Sequence, residues 1–372
     1  MSRQAVSASS RRAAKTQRDA ALQKMLAQIV SWLFRSERPN EPEWLHEEWE
    51  LFKRAAFIHG VAPLLHERLK TGAIPEEIKG WLARQYENNH RRVGQMQADL
   101  QLILAHFAAA GIPLMPLKGA LLAAVYYQDI ALRPTADIDL LIRPQAFAPS
   151  LELLARLGYE VEKSNWKHAI LSRPDNRSVV SYEVEHADNP RRIDLHIACQ
   201  EMFSGPVVDI TAEMWAAAVE GQLLGEQAQI LKPEMLWLHL LLHTSNNVWN
   251  GVLRLINLAD IASVQETARF EPAALARLIP HENPANARFL YPALSFCGRY
   301  LPQPDYQTLL EQCETAVPRP FRQWLAGQDL LSRSRLREET RGEYLARLFV
   351  LYWGRPKDLM AAVRFLPALL KK

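Results

Sequence analysis

The sequence predicts an α+β protein: a small mixed sheet over roughly residues 111–204, flanked by helical regions at 21–110 and 205–372. Three observations carry that expectation. Apolar residues recur at three- and four-residue intervals from residue 21 to about 107, the stripe of amphipathic helices. After Gly111 the apolar runs shorten to strand length and begin to alternate. From about Gly205 the helical spacing returns, and no strand candidate of comparable quality follows.

In chain order, Leu22, Met25, Leu26, Ile29, Trp32 and Leu33 mark a first helix that Pro39 and Pro42 close off. A second helical run covers about 44–70, a third follows Pro75, and Val93, Met96, Leu100, Ile103 and Phe107 mark a longer one ending near Gly111. Residues 112–117 then read as a strand, 120–127 as a short helix, 136–143 as a strand, 147–157 as a helix closed by Gly158, and 159–162 as a strand. Two more strands are expected: 179–186, where Val180, Tyr182 and Val184 alternate with polar residues, and 191–199, where Ile193, Leu195 and Ile197 oppose Asp194 and His196. Helices are expected again at 233–243, 253–265, 272–278 and 344–352.

A chain of 372 residues, 48% hydrophobic and 23% charged, is of ordinary globular composition and long enough for two or three domains. The net charge of +3, from 44 basic against 41 acidic residues, is too small to argue for a nucleic-acid footprint. No apolar run approaches the roughly 20 residues of a membrane span, so an integral membrane protein is not expected and a cytoplasmic one is. Met1–Ala20, rich in Ser, Arg and Ala, reads as a disordered basic tail. Cys199, Cys297 and Cys313 have neither paired nor metal-type spacing and are expected as core-packing thiols in a reducing compartment.

The chemistry concentrates in the mixed segment. On a strand, Asp137 and Asp139 project to one side, and their mutual repulsion is relieved by a divalent, oxygen-seeking ion such as Mg²⁺ or Mn²⁺. Lys118 and Gly119 stand at a strand-to-helix junction, where free backbone N–H groups favour an anion and Lys118 adds a point charge. Arg133, just ahead of the acidic strand, is a candidate to fork onto phosphate oxygens. Asp194, on a later strand, supplies a third carboxylate. Three acids from two strands can hold two ions, the arrangement that suits nucleotidyl transfer, with Asp194 on the acceptor side and able to take its proton.

At this point the chain resembles the DNA polymerase β-like nucleotidyltransferase superfamily, specifically the bacterial group called uncharacterised nucleotidyltransferases. The motifs are Leu117-Lys118-Gly119, Arg133 ahead of Asp137-Ile138-Asp139-Leu140-Leu141, Asp194-Leu195-His196, and Leu238 to His243 leading to Leu253-Arg254 and Asp260-Ile261. His59-Gly60-Val61-Ala62-Pro63-Leu64-Leu65 is similar to the family's N-terminal helical signature, so the likeness runs from about residue 40 to 265. It implies a nucleotidyltransferase core, an NTP, commonly ATP, and Mg²⁺, but no acceptor. Two departures from the wider superfamily stand out: Ala120 where many members have Ser, which removes a phosphate-binding hydroxyl, and a longer interval from Gly119 to Asp137.

His239 and His243, at i and i+4 on one helix, are within reach of one metal with Asp260 as a third ligand. No Glu stands between them, so the zinc-protease pattern fails, and the leucines around them indicate packed or site-lining histidines. His196, on the face of Asp194, is the stronger candidate to support the acids. The basic, apolar stretch 341–372 is expected to pack back on the helical region; docking on a protein partner or an acidic membrane surface is the other reading. Two rival functions fit parts of the pattern: a glycosyltransferase whose Asp-x-Asp holds Mn²⁺ and a nucleotide sugar, and a non-catalytic nucleotide- or partner-binding module on the same fold.

Overall fold

The computed structural model describes residues 8–35, 42–268, 284–302, 305–337 and 339–363. Three helices open it: α1 (Ala8–Phe34), α2 (His46–Ile58) and α3 (Ala62–Leu69). α1 buries Leu22, Met25, Leu26, Ile29 and Trp32, as the apolar spacing requires. It starts at Ala8, so residues 8–20 are helical rather than a disordered tail; Ala and Arg are good helix formers and extend a helix already anchored by its apolar stripe. Residues 1–7 lie outside the described residues. The run at 44–70 is two helices, because Gly60 at φ +67° ends the first. The two runs after Pro75 are one 34-residue helix, α4 (Glu76–Ala109).

The mixed segment contains β1 (Met115–Leu117), α5 (Lys118–Val125), β2 (Asp137–Leu141), α6 (Phe147–Arg156), β3 (Glu160–Ser164), β4 (His168–Ser172) and β5 (Arg192–His196). They form one five-stranded sheet in the order β1-β2-β5-β4-β3. The sheet is mixed as expected: β2 and β5 run parallel, and the other neighbours are antiparallel. The strand expected at 179–186 is absent. Its alternation buries no face, with Val180 54% and Tyr182 81% exposed, and the loop is held instead by the Asn189 side chain, which accepts from the N–H groups of Val180 and Ser181.

Strands also occur where none was expected. β6 (Gln200–Met202) pairs with β7 (Val207–Asp209); α7 (Thr211–Ala217) follows, and β8 (Ala218–Leu223) and β9 (Glu226–Leu231) form a hairpin. Its two-residue loop, Leu224-Gly225, has both residues at positive φ, the turn that matches strand twist. The hairpin strands are rich in Gln and Glu, which hid them from an apolar pattern. The remaining elements are helical: α8 (Pro233–Asn250), α9 (Leu255–Ala268), α10 (Pro284–Tyr300), α11 (Asp305–Glu314), α12 (Arg319–Ala326), α13 (Arg341–Leu351) and α14 (Pro356–Val363). The helix expected at 272–278 lies outside the described residues.

One hydrophobic core runs from α1 through the sheet to α13. All three cysteines are free and buried. In the described part of the basic C-terminal stretch Leu348, Leu351 and Tyr352 are buried and the Arg347 guanidinium donates to Glu339 at 3.0 and 2.7 Å while lying over the Trp249 ring, whereas Leu345, Phe349, Trp353 and Met360 are exposed. Arg364, Lys371 and Lys372 lie outside the described residues. No helix among the described residues is long and apolar enough to cross a membrane.

Two buried side chains tie the helices to the sheet's working edge. Arg92 of α4 donates to the carbonyls of Thr135 (2.6 Å), Ala136 (3.1 Å) and Pro190 (2.7 Å), so one guanidinium sets the entries to both β2 and β5. His59, at the end of α2, accepts from the Leu255 N–H at 3.1 Å through Nδ1, and its carbonyl accepts from the Ile256 N–H at 3.1 Å. These bonds satisfy free donors at the start of α9.

Candidate active site

The parallel register of β2 and β5 sets Asp139 opposite Asp194, and Asp137 opposite Arg192. Residues two apart on β2 share a face, so Asp137, Asp139 and Asp194 line one cavity of about 380 Å³. Lys118, Gly119, Arg133 and Thr135 line it from the sheet side, His243, Thr244 and Asn247 from α8, and Arg254, Asn257 and Asp260 from the start of α9. Arg335, from the loop before α13, completes the wall.

Lys118 opens α5 at φ +41° and donates through Nζ to Asp139 Oδ1 at 3.2 Å. Burial and the Asp139 carboxylate push Asp137 above the usual carboxylate range. Burial pushes Asp139 the same way, but the Lys118 ammonium and the His196 imidazole outweigh it and hold Asp139 well below that range. Burial alone would lower Lys118; the Asp139 and Glu201 carboxylates raise it instead. The site thus carries three closely spaced carboxylates and one firmly charged lysine.

Gly119 has a different role from the one its turn suggests. A Cβ there would sit 2.0 Å from Thr135 Oγ1 and 3.1 Å from Arg133 Nη1, so the glycine admits the loop before β2. Thr135 in turn donates through Oγ1 to the Asp137 carbonyl at 3.0 Å. Ala120 is buried in α5 and does not line the cavity.

Arg133 reaches the cavity wall, yet its guanidinium is committed. It donates through Nε to Asp260 Oδ1 at 3.1 Å and through Nη2 to Asp260 Oδ2 at 2.7 Å, and Tyr127 Oη donates to the same Oδ1 at 2.8 Å. The guanidinium offered to a phosphate and the carboxylate offered to a metal on sequence grounds are thus joined in a buried ion pair. The free cation nearby is Arg254, which sequence reading placed in a motif without a role. Among the described residues no carboxylate lies within ion-pair distance of its guanidinium, and burial together with the Arg133 charge lowers its pKa.

The histidines divide. His196 Nε2 lies 3.2 Å from Asp139 Oδ1 and 3.4 Å from Asp194 Oδ2, the supporting position expected for it. His239 and His243 do not converge on one ion. His239 is buried with Nε2 3.3 Å from Cys199 Sγ, and burial and the Lys118 charge lower it to about 3. His243 faces the cavity and shares a 2.9 Å hydrogen bond through Nδ1 with Glu201, whose other oxygen accepts from Asn246. Burial would raise Glu201, but His243 outweighs it and the carboxyl falls to about 2.

Two contributors were invisible in the sequence. His168, on the unforeseen strand β4, pairs in register with His196 and shares a 2.5 Å hydrogen bond through Nδ1 with Asp194 Oδ1. Glu201 sits on the unforeseen β6. Neither strand alternates: β4 reads His-Ala-Ile-Leu-Ser and β6 only Gln-Glu-Met, so neither betrays a face.

Comparison with known proteins adds a family. The model of a family described as uncharacterised nucleotidyltransferase matches residues 46–302. No curated protein matches the chain. Among solved structures, ANT(2″)-Ia in complex with adenylyl-2″-tobramycin is 13% identical, covering 50% of this chain and 94% of its own at a TM-score of 0.36. The lincomycin-bound lincosamide antibiotic adenylyltransferase LnuA is 14% identical, covering 46% and 96% at 0.32. An antigenic nucleotidyltransferase-like protein from Paracoccidioides brasiliensis is 17% identical, covering 58% and 92% at 0.35.

Proposed function

The chain belongs to the uncharacterised nucleotidyltransferase family, and from that premise we propose that it transfers NMP from an NTP, with ATP the first candidate, to the hydroxyl or phosphate of an acceptor in a divalent-metal-dependent reaction. The observation that carries the reading is the register: Asp139 and Asp194 stand side by side on parallel strands, with Asp137 on the same face of one cavity. The same pairing favours this reading over an inert module, since three acids held together cost stability unless they serve a ligand.

The donor set fits a hard cation. Three carboxylates meet, and among the described residues Lys118 is the lysine or arginine within ion-pair distance of them; burial and the neighbouring Asp139 carboxylate raise Asp137. Asp137, Asp139 and Asp194 would hold the ion or ions. Mg²⁺ or Mn²⁺ bound there would supply Lewis acidity that activates the acceptor oxygen and neutralises charge on the phosphate oxygens.

The protein's own groups then orient the reactants. Arg254 and Arg335 supply positive charge for the triphosphate on the wall facing the acids. Lys118 keeps Asp139 ionised, and His196 fixes its rotamer. Arg133 with Asp260, and Arg92 beneath the strand entries, keep the wall rigid, so the acceptor's oxygen is aligned for in-line attack on the α-phosphorus as pyrophosphate leaves.

The test incubates the protein with α-phosphate-labelled NTPs, Mg²⁺ and cell lysate, and follows the label. Label should pass to an acceptor, and Asp139→Asn should lower transfer by at least about a hundredfold without changing the fold. Transfer undiminished in that variant overturns the reading.

A further inference from the structure

We propose that the Asp194 end of the site is a mixed nitrogen and oxygen subsite, formed by His168, Asp194 and His196, that takes a borderline transition-metal dication such as Zn²⁺ or Co²⁺ in preference to Mg²⁺. The proposal rests on the nucleotidyltransferase reading only in that Asp194 lines the same cavity.

The three residues come from two neighbouring strands. His168 on β4 is the register partner of His196 on β5, and Asp194 lies two residues before His196 on the same face. Their ligand atoms all lie within 4.8 Å of one another. The two imidazole rings stack with centroids 5.4 Å apart, so their nitrogens reach Asp194 from the same side. Each oxygen of Asp194 already has one of them: Oδ1 with His168 Nδ1 at 2.5 Å, Oδ2 with His196 Nε2 at 3.4 Å.

That arrangement is costly for a magnesium ligand and economical for a softer ion. Mg²⁺ demands oxygen donors in a near-octahedral shell and keeps its waters, and it gains little from imidazole. Zn²⁺ and Co²⁺ bind imidazole at about 2.1 Å, and a tetrahedral shell at that radius spaces its donors about 3.4 Å apart, the separation already present between Asp194 Oδ2 and His196 Nε2. Two histidines and one carboxylate leave a fourth coordination position for a water or an acceptor oxygen, and Asp194 itself lines the cavity.

The neighbouring subsite differs in kind. Asp137 and Asp139 offer oxygens, with Lys118 as the close cation, and no imidazole of the described residues contacts Asp137. His196 Nε2, 3.2 Å from Asp139 Oδ1, lies between the two subsites and would give up that contact to the ion. The two ends of one cavity thereby select different ions: oxygen-bound Mg²⁺ beside the phosphates, an imidazole-bound transition metal beside the acceptor.

The test titrates chelator-stripped protein with Co²⁺, without nucleotide, and follows the visible absorption of the ion. A saturable band of a low-coordinate, imidazole-ligated ion is expected at a single site, displaced by Zn²⁺ and unaffected by millimolar Mg²⁺. His168→Ala should weaken Co²⁺ binding at least about tenfold with unchanged circular dichroism, while His186→Ala, at a half-buried histidine outside the cluster, should not change it. X-ray absorption at the zinc edge of the wild-type protein, which needs no variant, should show two imidazoles. Absence of the band, an all-oxygen spectrum, or equal affinity in His168→Ala overturns the proposal. Mg²⁺-supported NMP transfer, measured separately, distinguishes the two claims: transfer without a Co²⁺ site sinks this inference alone, and a Co²⁺ site without transfer sinks the function alone.

Discussion

Replacing Arg133 with Met tests whether its guanidinium belongs to the protein or to the ligand. The side chain is 6% exposed and its partner Asp260 is 1% exposed, and two charge-assisted hydrogen bonds of 3.1 and 2.7 Å join them. Arg133→Met keeps the length of the side chain but leaves the Asp260 carboxylate buried with the Tyr127 hydroxyl still donating to it. Removing one member of such a pair costs about 3–5 kcal/mol, because the other charge stays desolvated. With an unfolding entropy of about 2.1 cal/mol/K per residue, 372 residues give roughly 0.8 kcal/mol/K, so Tm should fall by about 4–6 °C. The double variant Arg133→Met/Asp260→Leu removes both charges and should regain most of that loss. Thermal unfolding by circular dichroism measures the first quantity, and calorimetric nucleotide binding the second. The reasoning is refuted if Arg133→Met leaves Tm within about a degree of wild type while nucleotide affinity falls tenfold or more, the pattern of a phosphate ligand.

Gly119→Ala should destabilise by about 1–3 kcal/mol, since its Cβ would stand 2.0 Å from Thr135 Oγ1 where about 3.5 Å is needed. Adding Thr135→Gly should recover part of that loss, and additive costs in urea unfolding would contradict the contact. Arg254→Met should weaken NTP binding at least about tenfold by calorimetry with little loss of stability, because among the described residues no acid lies within ion-pair distance of the guanidinium; unchanged affinity would remove Arg254 from the proposed phosphate site. Burial and the Arg254 charge lower His59 to about 3, so the unfolded state, with its histidine near 6.5, binds more protons in between. The stability this histidine contributes is present above about pH 6.5 and is lost as pH falls toward 3, at most on the order of 5 kcal/mol. His59→Gln should flatten that part of the stability profile, and an unchanged slope would show the histidine charges freely in the fold.

Much of the site was legible because its logic is local. Asp137 and Asp139 alternate on one strand, and Lys118-Gly119 marks a strand-to-helix junction, so periodicity alone brings them forward. Asp194 needed one step more, that β5 enter the sheet beside β2, and the apolar residues on either side of it supplied that. What stayed hidden was decided by partners far along the chain. Nothing near Arg133 announces that Asp260, 127 positions later, neutralises it. His168 opens a strand whose Ala-Ile-Leu run is continuous rather than alternating, so its pairing with β5 shows only in the sheet. The strand expected at 179–186 failed for the converse reason: alternation is evidence for a strand only where a core awaits one face, and Tyr182 meets solvent. Likewise the hairpin β8–β9 forms from polar residues, because the positive φ values at Leu224 and Gly225 reverse the chain where hydrophobicity gives no cue.

The bond from the Leu255 N–H to His59 spans 196 positions. During synthesis this means that α2 leaves the ribosome with its terminal imidazole unmatched, and stays so until most of the chain has emerged. The acidic strands can pair long before then, but the wall bearing Arg254 arrives only when α9 docks on that histidine. The acidic cavity is thus closed late and from afar, so a nascent chain exposes its carboxylates before the wall bearing Arg254 faces them, and a product truncated before α9 would carry the acids without that wall.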